Sequence, residues 1–276
     1  MNLFKRNTAK NWILKLFKIT NSQSAEQFDM ESCIISIIDS INQNTGLAAT
    51  NFDINYKDSR KTLKGFKREL KNQNEIVYSF VGFESDKTNT YFSINNPMLN
   101  SIEKPTNSAL KTCIQVSSEF ADQKSIENIA EELIKTFEFE YGYVTKLPAN
   151  YDSETERKIK KSLFSTGVEV NNTDQAWTFH LVGILDGYIK SLYPLNYLNK
   201  SHFNDSHFKE RVLKYGTLEN ITDMVSKWSL NSDELDDLQK DKQIKSKSII
   251  TDDLEFFKTD EAKSFNDKMK IKKASC

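Results

Sequence analysis

Apolar residues recur at intervals of three and four through Phe28, Ile34, Ile35, Ile38 and Ile41, a spacing that predicts an amphipathic helix. Ser24-Ala25-Glu26-Gln27 has the form of a capping box ahead of it, and the helix is expected to end near Gly46. Phe52, Ile54 and Tyr56 then alternate with polar residues, the period of a half-buried strand. Asp58 can cap a short helix carrying Leu63, Phe66 and Leu70. Glu75–Glu84 and Thr88–Asn95 are aromatic and β-branched and flank the turn-like Ser85-Asp86-Lys87, which predicts a hairpin. The polar stretch from Pro97 to Ser108 reads as a loop.

Leu110–Ser117 predicts another strand, and residues 122–137 place Ile126, Ile129, Ala130, Leu133, Ile134 and Phe137 on one helical face. Phe139–Leu147 returns as a strand, so the order from 110 to 147 would be a right-handed crossover if its two strands are parallel. A charged helix is expected over 152–164, a core-like stretch over Trp177–Leu192, and a hairpin or strand over 216–230. Asn231 to Glu234 is a capping box for a short last helix. These elements predict an α+β fold: an antiparallel or mixed sheet with helices packed mainly on one face, N-terminal helices and a polar C-terminal tail. The expected division is a helical segment 1–48, an α+β domain 49–235, and a charged tail 236–276 that is partly helical or disordered.

The segment before residue 20 carries five basic residues (Lys5, Arg6, Lys10, Lys15, Lys18) ahead of the first acid, Glu26. Two readings of it stand: a terminal helix packing Leu3, Trp12, Leu16 and Ile19, or a basic amphipathic helix on an anionic membrane surface. The second would make Trp12, Lys15, Phe17 and Lys18 membrane contacts. Lys15 breaks the apolar run and no small-residue cleavage site follows, which argues against a secretory signal. Cys33, Cys113 and Cys276 are odd in number and widely spaced, so no disulfide framework is expected and the default compartment is the cytoplasm, with the inner membrane face as the peripheral alternative.

The 276 residues hold 38 Lys and Arg against 39 Asp and Glu, a balance that argues against a nucleic-acid partner. With 11% aromatics the chain has the material for a core. No phosphate-cradling loop, dinucleotide fingerprint, nucleophile elbow or zinc-protease signature occurs, and no cofactor is expected. His202, Asp205 and His207 could form a loop metal site, but the five-residue histidine spacing does not stack them on one helical face, and none is assigned. An enzyme would have to gather Asp186, which lies between Gly183 and Gly187, with His180 and His202.

Charge is unevenly spread. Residues 57–71 hold seven basic side chains against two acidic ones, whereas Glu119 to Glu156 is strongly acidic. That acidic stretch, with Glu138, Glu140, Tyr141, Tyr143 and Tyr151, could steer and bind a basic protein.

In the second half Tyr193-Pro-Leu-Asn-Tyr-Leu198, Ser201-His-Phe203, Gly216-Thr-Leu218, Trp228-Ser-Leu230 and Glu234-Leu235 follow one another. Over about residues 190–235 this resembles small α+β immunity-type proteins of bacterial polymorphic or contact-delivered toxin systems. The resemblance implies a cytoplasmic binding protein without catalysis of its own, which occludes a cognate basic toxin domain; many toxin domains of such systems are basic nucleases. Tyr141, Tyr143, Tyr193 and Trp228 would then be the aromatic anchors, with core packing as the competing role for Tyr193 and Trp228.

Overall fold

The computed structural model describes residues 9–58, 62–84, 88–99, 107–161, 165–179, 181–251, 255–260 and 262–263. Leu3, Lys5, Arg6, the Ser85-Asp86-Lys87 turn, His180, Phe265 and Cys276 lie outside these residues.

The first half runs β1 (Lys10–Thr20), α1 (Ser22–Gln27), α2 (Met30–Thr45), β2 (Ala49–Ile54), β3 (Lys57–Asp58), α3 (Leu63–Lys71), β4 (Tyr78–Phe83), β5 (Thr90–Asn95) and β6 (Ser108–Ser117). After α4 (Gln123–Phe137) and β7 (Tyr141–Pro148) comes a small hairpin, β8 (Ile159–Lys161) with β9 (Thr166–Val168). The second half continues with α5 (Asn172–Phe179), β10 (Leu195–Asn199), α6 (Ser206–Lys214), β11 (Thr217–Asn220), β12 (Val225–Ser229), α7 (Ser232–Leu238) and α8 (Lys242–Lys247). Among the described residues ten strands form one sheet in the order β11-β12-β10-β7-β1-β6-β5-β4-β2-β3, with every pair antiparallel. The α+β class and the antiparallel sheet are as the sequence predicts.

The alternation of each strand sorts its side chains into two cores. On the first face Leu14, Leu16, Phe92, Ile114 and Val81 meet Ile34, Ile37 and Ile41 of α2 and Ile129 and Leu133 of α4. These two longest helices, with α3, account for the expected one-sided helix layer. The second face is aromatic: Phe17, Tyr141, Tyr143 and Trp228 pack under Trp177, Tyr188, Ile189, Phe208 and Phe256. The tail contributes here, since Ile244 of α8, Ile249 and Phe256 are buried against it.

Two expectations need correction. Residues 10–20 form the central strand, not a helix: β1 pairs with β6 along one edge and β7 along the other. A strand covered on both faces reads as a nearly unbroken apolar run, because both alternating sets are buried; here Trp12, Leu14 and Leu16 face α2 and α4 while Phe17 faces the aromatic core. In the strand–helix–strand from 110 to 147 the two strands are parallel, as β6 and β7 both run antiparallel to β1, which lies between them. Residues 152–161 form turns and β8, with no helix in the described part of 152–164. The reason is that Ser153, Glu154 and Glu156 turn in to bond the sheet instead of facing water along a helix.

Elsewhere local signals behave as expected except at α3, which is capped by Thr62 and not by Asp58, a residue of β3. Asn231 and Glu234 form a reciprocal capping box on α7, and Gly46 ends α2 in the left-handed conformation at φ 74°. At the first helix the box is shifted: Asn21 caps α1 with Ser24 as its partner, and Asp29 separately caps α2. Gly142 stands opposite Leu16 in the register, where a Cβ would meet the Lys15 carbonyl oxygen at 2.6 Å.

Candidate functional site

One row of registered residues crosses the second face: Asp53, Phe80, Ser93, Cys113, Lys15, Tyr143, Asn196 and Trp228. Lys15 at its centre is 5% exposed, and so needs a counter-charge. The segment after β7 brings it. Glu156 Oε1 lies 3.4 Å from Lys15 Nζ and 2.5 Å from Lys190 Nζ, and it accepts the Tyr143 hydroxyl at 2.6 Å. Tyr193 donates to the other oxygen at 2.7 Å and stacks on Tyr143 with centroids 3.9 Å apart. Lys15 Nζ also donates to the Glu154 carbonyl at 2.5 Å.

Burial alone would push the Glu156 carboxyl up, but the ammoniums of Lys190 and Lys15 outweigh it and hold it at about 2. Burial and then the charge of Lys15 lower Lys190 to about 8, against the pull of Glu156. One carboxylate between two ammoniums cannot satisfy both equally, and Lys190 is the one left closer to losing its proton. Glu156 sits in left-handed backbone at φ 58°, which costs on the order of 1 kcal/mol and persists only where the surroundings over-determine it. Beside it Arg157 holds Asp174 through Nε and Nη2, at 3.0 to 3.2 Å. A cavity of about 330 Å³ adjoins, lined in part by Glu156, Arg157, Lys190 and Tyr193. A lowered lysine in a cavity has the protonation state of an imine-forming amine. Here, however, its ammonium is held by Glu156 and Tyr143 with the side chain 3% exposed, the geometry of a closed ion network that pins the 152–157 segment to the sheet.

A second feature lies at the C-terminal end of α4. Glu138 ends that helix in left-handed backbone at φ 56° and pairs with Lys18 at 3.2 Å. Glu140 accepts the backbone N–H of Ile19 at 2.8 Å. Both line a groove of about 570 Å³, together with Leu185 from the 3₁₀ turn Leu181–Asp186 and Met224 from the turn between β11 and β12.

The structure therefore brings Glu138 and Glu140 together and removes other sequence-predicted anchors from the surface. Tyr141, Tyr143 and Trp228 are fully buried and Tyr193 nearly so; their hydroxyl and indole groups bond within the protein, Trp228 to the Tyr215 carbonyl at 2.7 Å. They are core residues, because the face they occupy is the aromatic one. Tyr151 is half-buried in an isolated bridge to Lys158. The acidic stretch is largely neutralised in space: Lys227 reaches Glu127, Glu131 and Glu219, and Lys111 reaches Glu154. The expected membrane contacts are likewise engaged elsewhere, with Phe17 and Lys15 buried and Trp12 donating to the Ala121 carbonyl at 3.1 Å. Among the described residues no helix is long and apolar enough to cross a membrane.

Asp186 is exposed, whereas His202 is fully buried, stacks on Tyr141 and bonds Asn199 and the Tyr188 carbonyl. Burial pushes the His202 imidazole down to about 4. Among the described residues His202 is closed in by these partners while Asp186 faces out, so the two do not share an opening; His180, the third residue of that arrangement, lies outside them. Asp205 caps α6 by accepting the N–H groups of His207 and Phe208, and among the described residues no cluster could hold a metal ion. Sequence reasoning missed Glu156 and Lys190. Its available signal was the lysine embedded in each of two apolar runs, at Lys15 and Lys190. Leu185 and Met224 left no signal, since a single apolar residue in a turn is unremarkable in a sequence.

No protein-family model and no curated protein matches the chain. A solved structure described as "Pseudomonas aeruginosa T6SS protein PA0821" superposes with a TM-score of 0.44 at 9% identity, over 79% of this chain and 68% of that one. A likeness that distant transfers no function, so the chain is left with its fold and its surfaces.

Proposed function

We propose that the protein works by binding another protein, as an immunity-type inhibitor that occludes a cognate and basic toxin domain, with no reaction of its own. The observation that carries this reading is the groove beside α4. Leu185 is 41% exposed and Met224 56%, and both open onto one concave surface that Glu138 and Glu140 share. Apolar anchors beside charged rim groups are the anatomy of a protein interface. Glu138, whose side chain is largely in water, offers a carboxylate to a basic residue flanking an inserted apolar side chain.

Protection is the test. If a toxin domain is encoded beside this gene, cells expressing it are expected to grow when the wild-type protein is present. They are expected to arrest when it carries Leu185→Asp and Met224→Asp together. Protection that survives both substitutions removes the groove from the account. Arrest with the wild-type protein removes the immunity reading.

A further inference from the structure

The sulfur atoms of the described residues are protected unevenly. Met30 is 5% exposed and Met98 1%, and Met98 Sδ accepts the Ser22 hydroxyl at 3.9 Å. Cys33 and Cys113 are buried, and burial pushes both thiols up, which suppresses the thiolate that reacts with peroxides. Met224 alone among the described methionines and cysteines stands open to water, at 56%. Met1, Met269 and Cys276 lie outside these residues.

The fold does not depend on this side chain. The turn 221–225 is stitched by its backbone, with the Ile221 and Thr222 N–H groups both donating to the Val225 carbonyl at 3.0 and 3.1 Å. Thr222 Oγ1 closes it by accepting the N–H groups of Met224 and Val225 at 3.2 and 3.1 Å. The thioether takes no part in these bonds. It borders the groove beside α4 and also a second hollow of about 500 Å³, which Phe203 and Ile221 help to line. A chemical change at this one sulfur therefore alters the walls of both.

Hydrogen peroxide oxidises a thioether in one two-electron step. A sulfur lone pair attacks one peroxide oxygen, and the O–O bond breaks as the S–O bond forms. The departing hydroxide takes the proton of the transferred oxygen and leaves as water, so the sulfur is oxidised and the peroxide reduced. The sulfoxide is a polar acceptor where the thioether offered dispersion contacts, and an apolar group packing there would have to strip water from it. We propose that Met224 is a peroxide-modified site whose sulfoxide closes the groove to its protein partner. The inference rests on the groove as the binding surface and adds its regulation.

The full-length protein is treated with millimolar hydrogen peroxide, quenched with catalase and mapped by peptide mass spectrometry. Met224 is expected to gain one oxygen at least tenfold faster than Met30 and Met98, with the circular dichroism unchanged. Equal rates, or unfolding on oxidation, overturn the proposal. An acetylated, amidated Arg-Leu-Arg-Leu-Arg peptide then probes the groove, its leucines suited to the hollows and its arginines to Glu138. The oxidised protein is expected to bind it at least fivefold more weakly, and methionine sulfoxide reductases A and B should restore the affinity. Met224→Leu, whatever its own affinity, should show no peroxide effect; an equal loss in that variant traces the effect to another residue and overturns the assignment. Affinity unchanged by oxidation of the wild-type protein sinks this proposal alone. No binding by the untreated protein removes the groove, and the proposal with it.

Discussion

The two faces of one sheet are stabilised by different means. The first is mostly a layer of Ile, Leu and Val under α2 and α4, where free energy follows the apolar area removed from water, with the Lys227 pairs to Glu127 and Glu131 of α4 confined to the β12 end. The second combines stacked rings with a buried carboxylate, two buried lysines and a buried histidine. Area is forgiving of small rearrangements. A buried ion network is not, because each charge depends on a partner staying in place.

That contrast is sharpest at Glu156. Glu156→Ala leaves Lys15 and Lys190 buried without their shared carboxylate, and urea unfolding should record a loss of about 3–5 kcal/mol. Replacing Lys15, Glu156 and Lys190 together by methionine is expected to recover most of that loss. A triple variant as weak as the single one would mean that the charges, and not merely their pairing, hold this face.

Acid should separate the faces next. The folded pKa of His202 is lowered to about 4 from 6.5, so between those values the unfolded chain binds the extra proton and stability falls with pH. The loss by pH 4 should approach about 3 kcal/mol, and His202→Gln should flatten that window. Glu156, held at about 2 against 4.5, adds a second loss as pH drops from 4.5 towards 2. By contrast Ile37→Val on the first face should cost about 1 kcal/mol and cost the same at pH 4 and pH 7. A pH-dependent penalty there would break the comparison.

The smallest effect is expected at Tyr56→Gly. Relief of its left-handed backbone at φ 65° and loss of its exposed stack on Tyr78 should nearly cancel, leaving thermal stability within about 0.5 kcal/mol of wild type.

The same contrast explains what could be read from the sequence. Helices α2 and α4 were legible because a helix on one face of a sheet must show its apolar stripe, and the β4–β5 hairpin because its strands are rich in residues that suit a pleated surface. β1 was not, because burial on both sides erases the two-residue period and its lysines imitate the polar side of a helix. Of the surfaces, Glu138 and Glu140 were legible as charge, while the Lys15–Glu156–Lys190 network joins positions more than 30 and 140 residues apart and only the fold brings them together.

The placement of β1 also bears on how the chain acquires its structure. Its neighbours are β6, ending at Ser117, and β7, ending at Pro148, so β1 is made before both and has to wait for them. At roughly 5–20 residues per second, the Trp-Ile-Leu and Leu-Phe pairs of this strand stay unpaired for on the order of ten seconds. Meanwhile β4 and β5, joined locally, can pair at once. β1 is thus a latecomer to its own sheet although it is made before both neighbours, and its pairing with them closes contacts of long sequence separation.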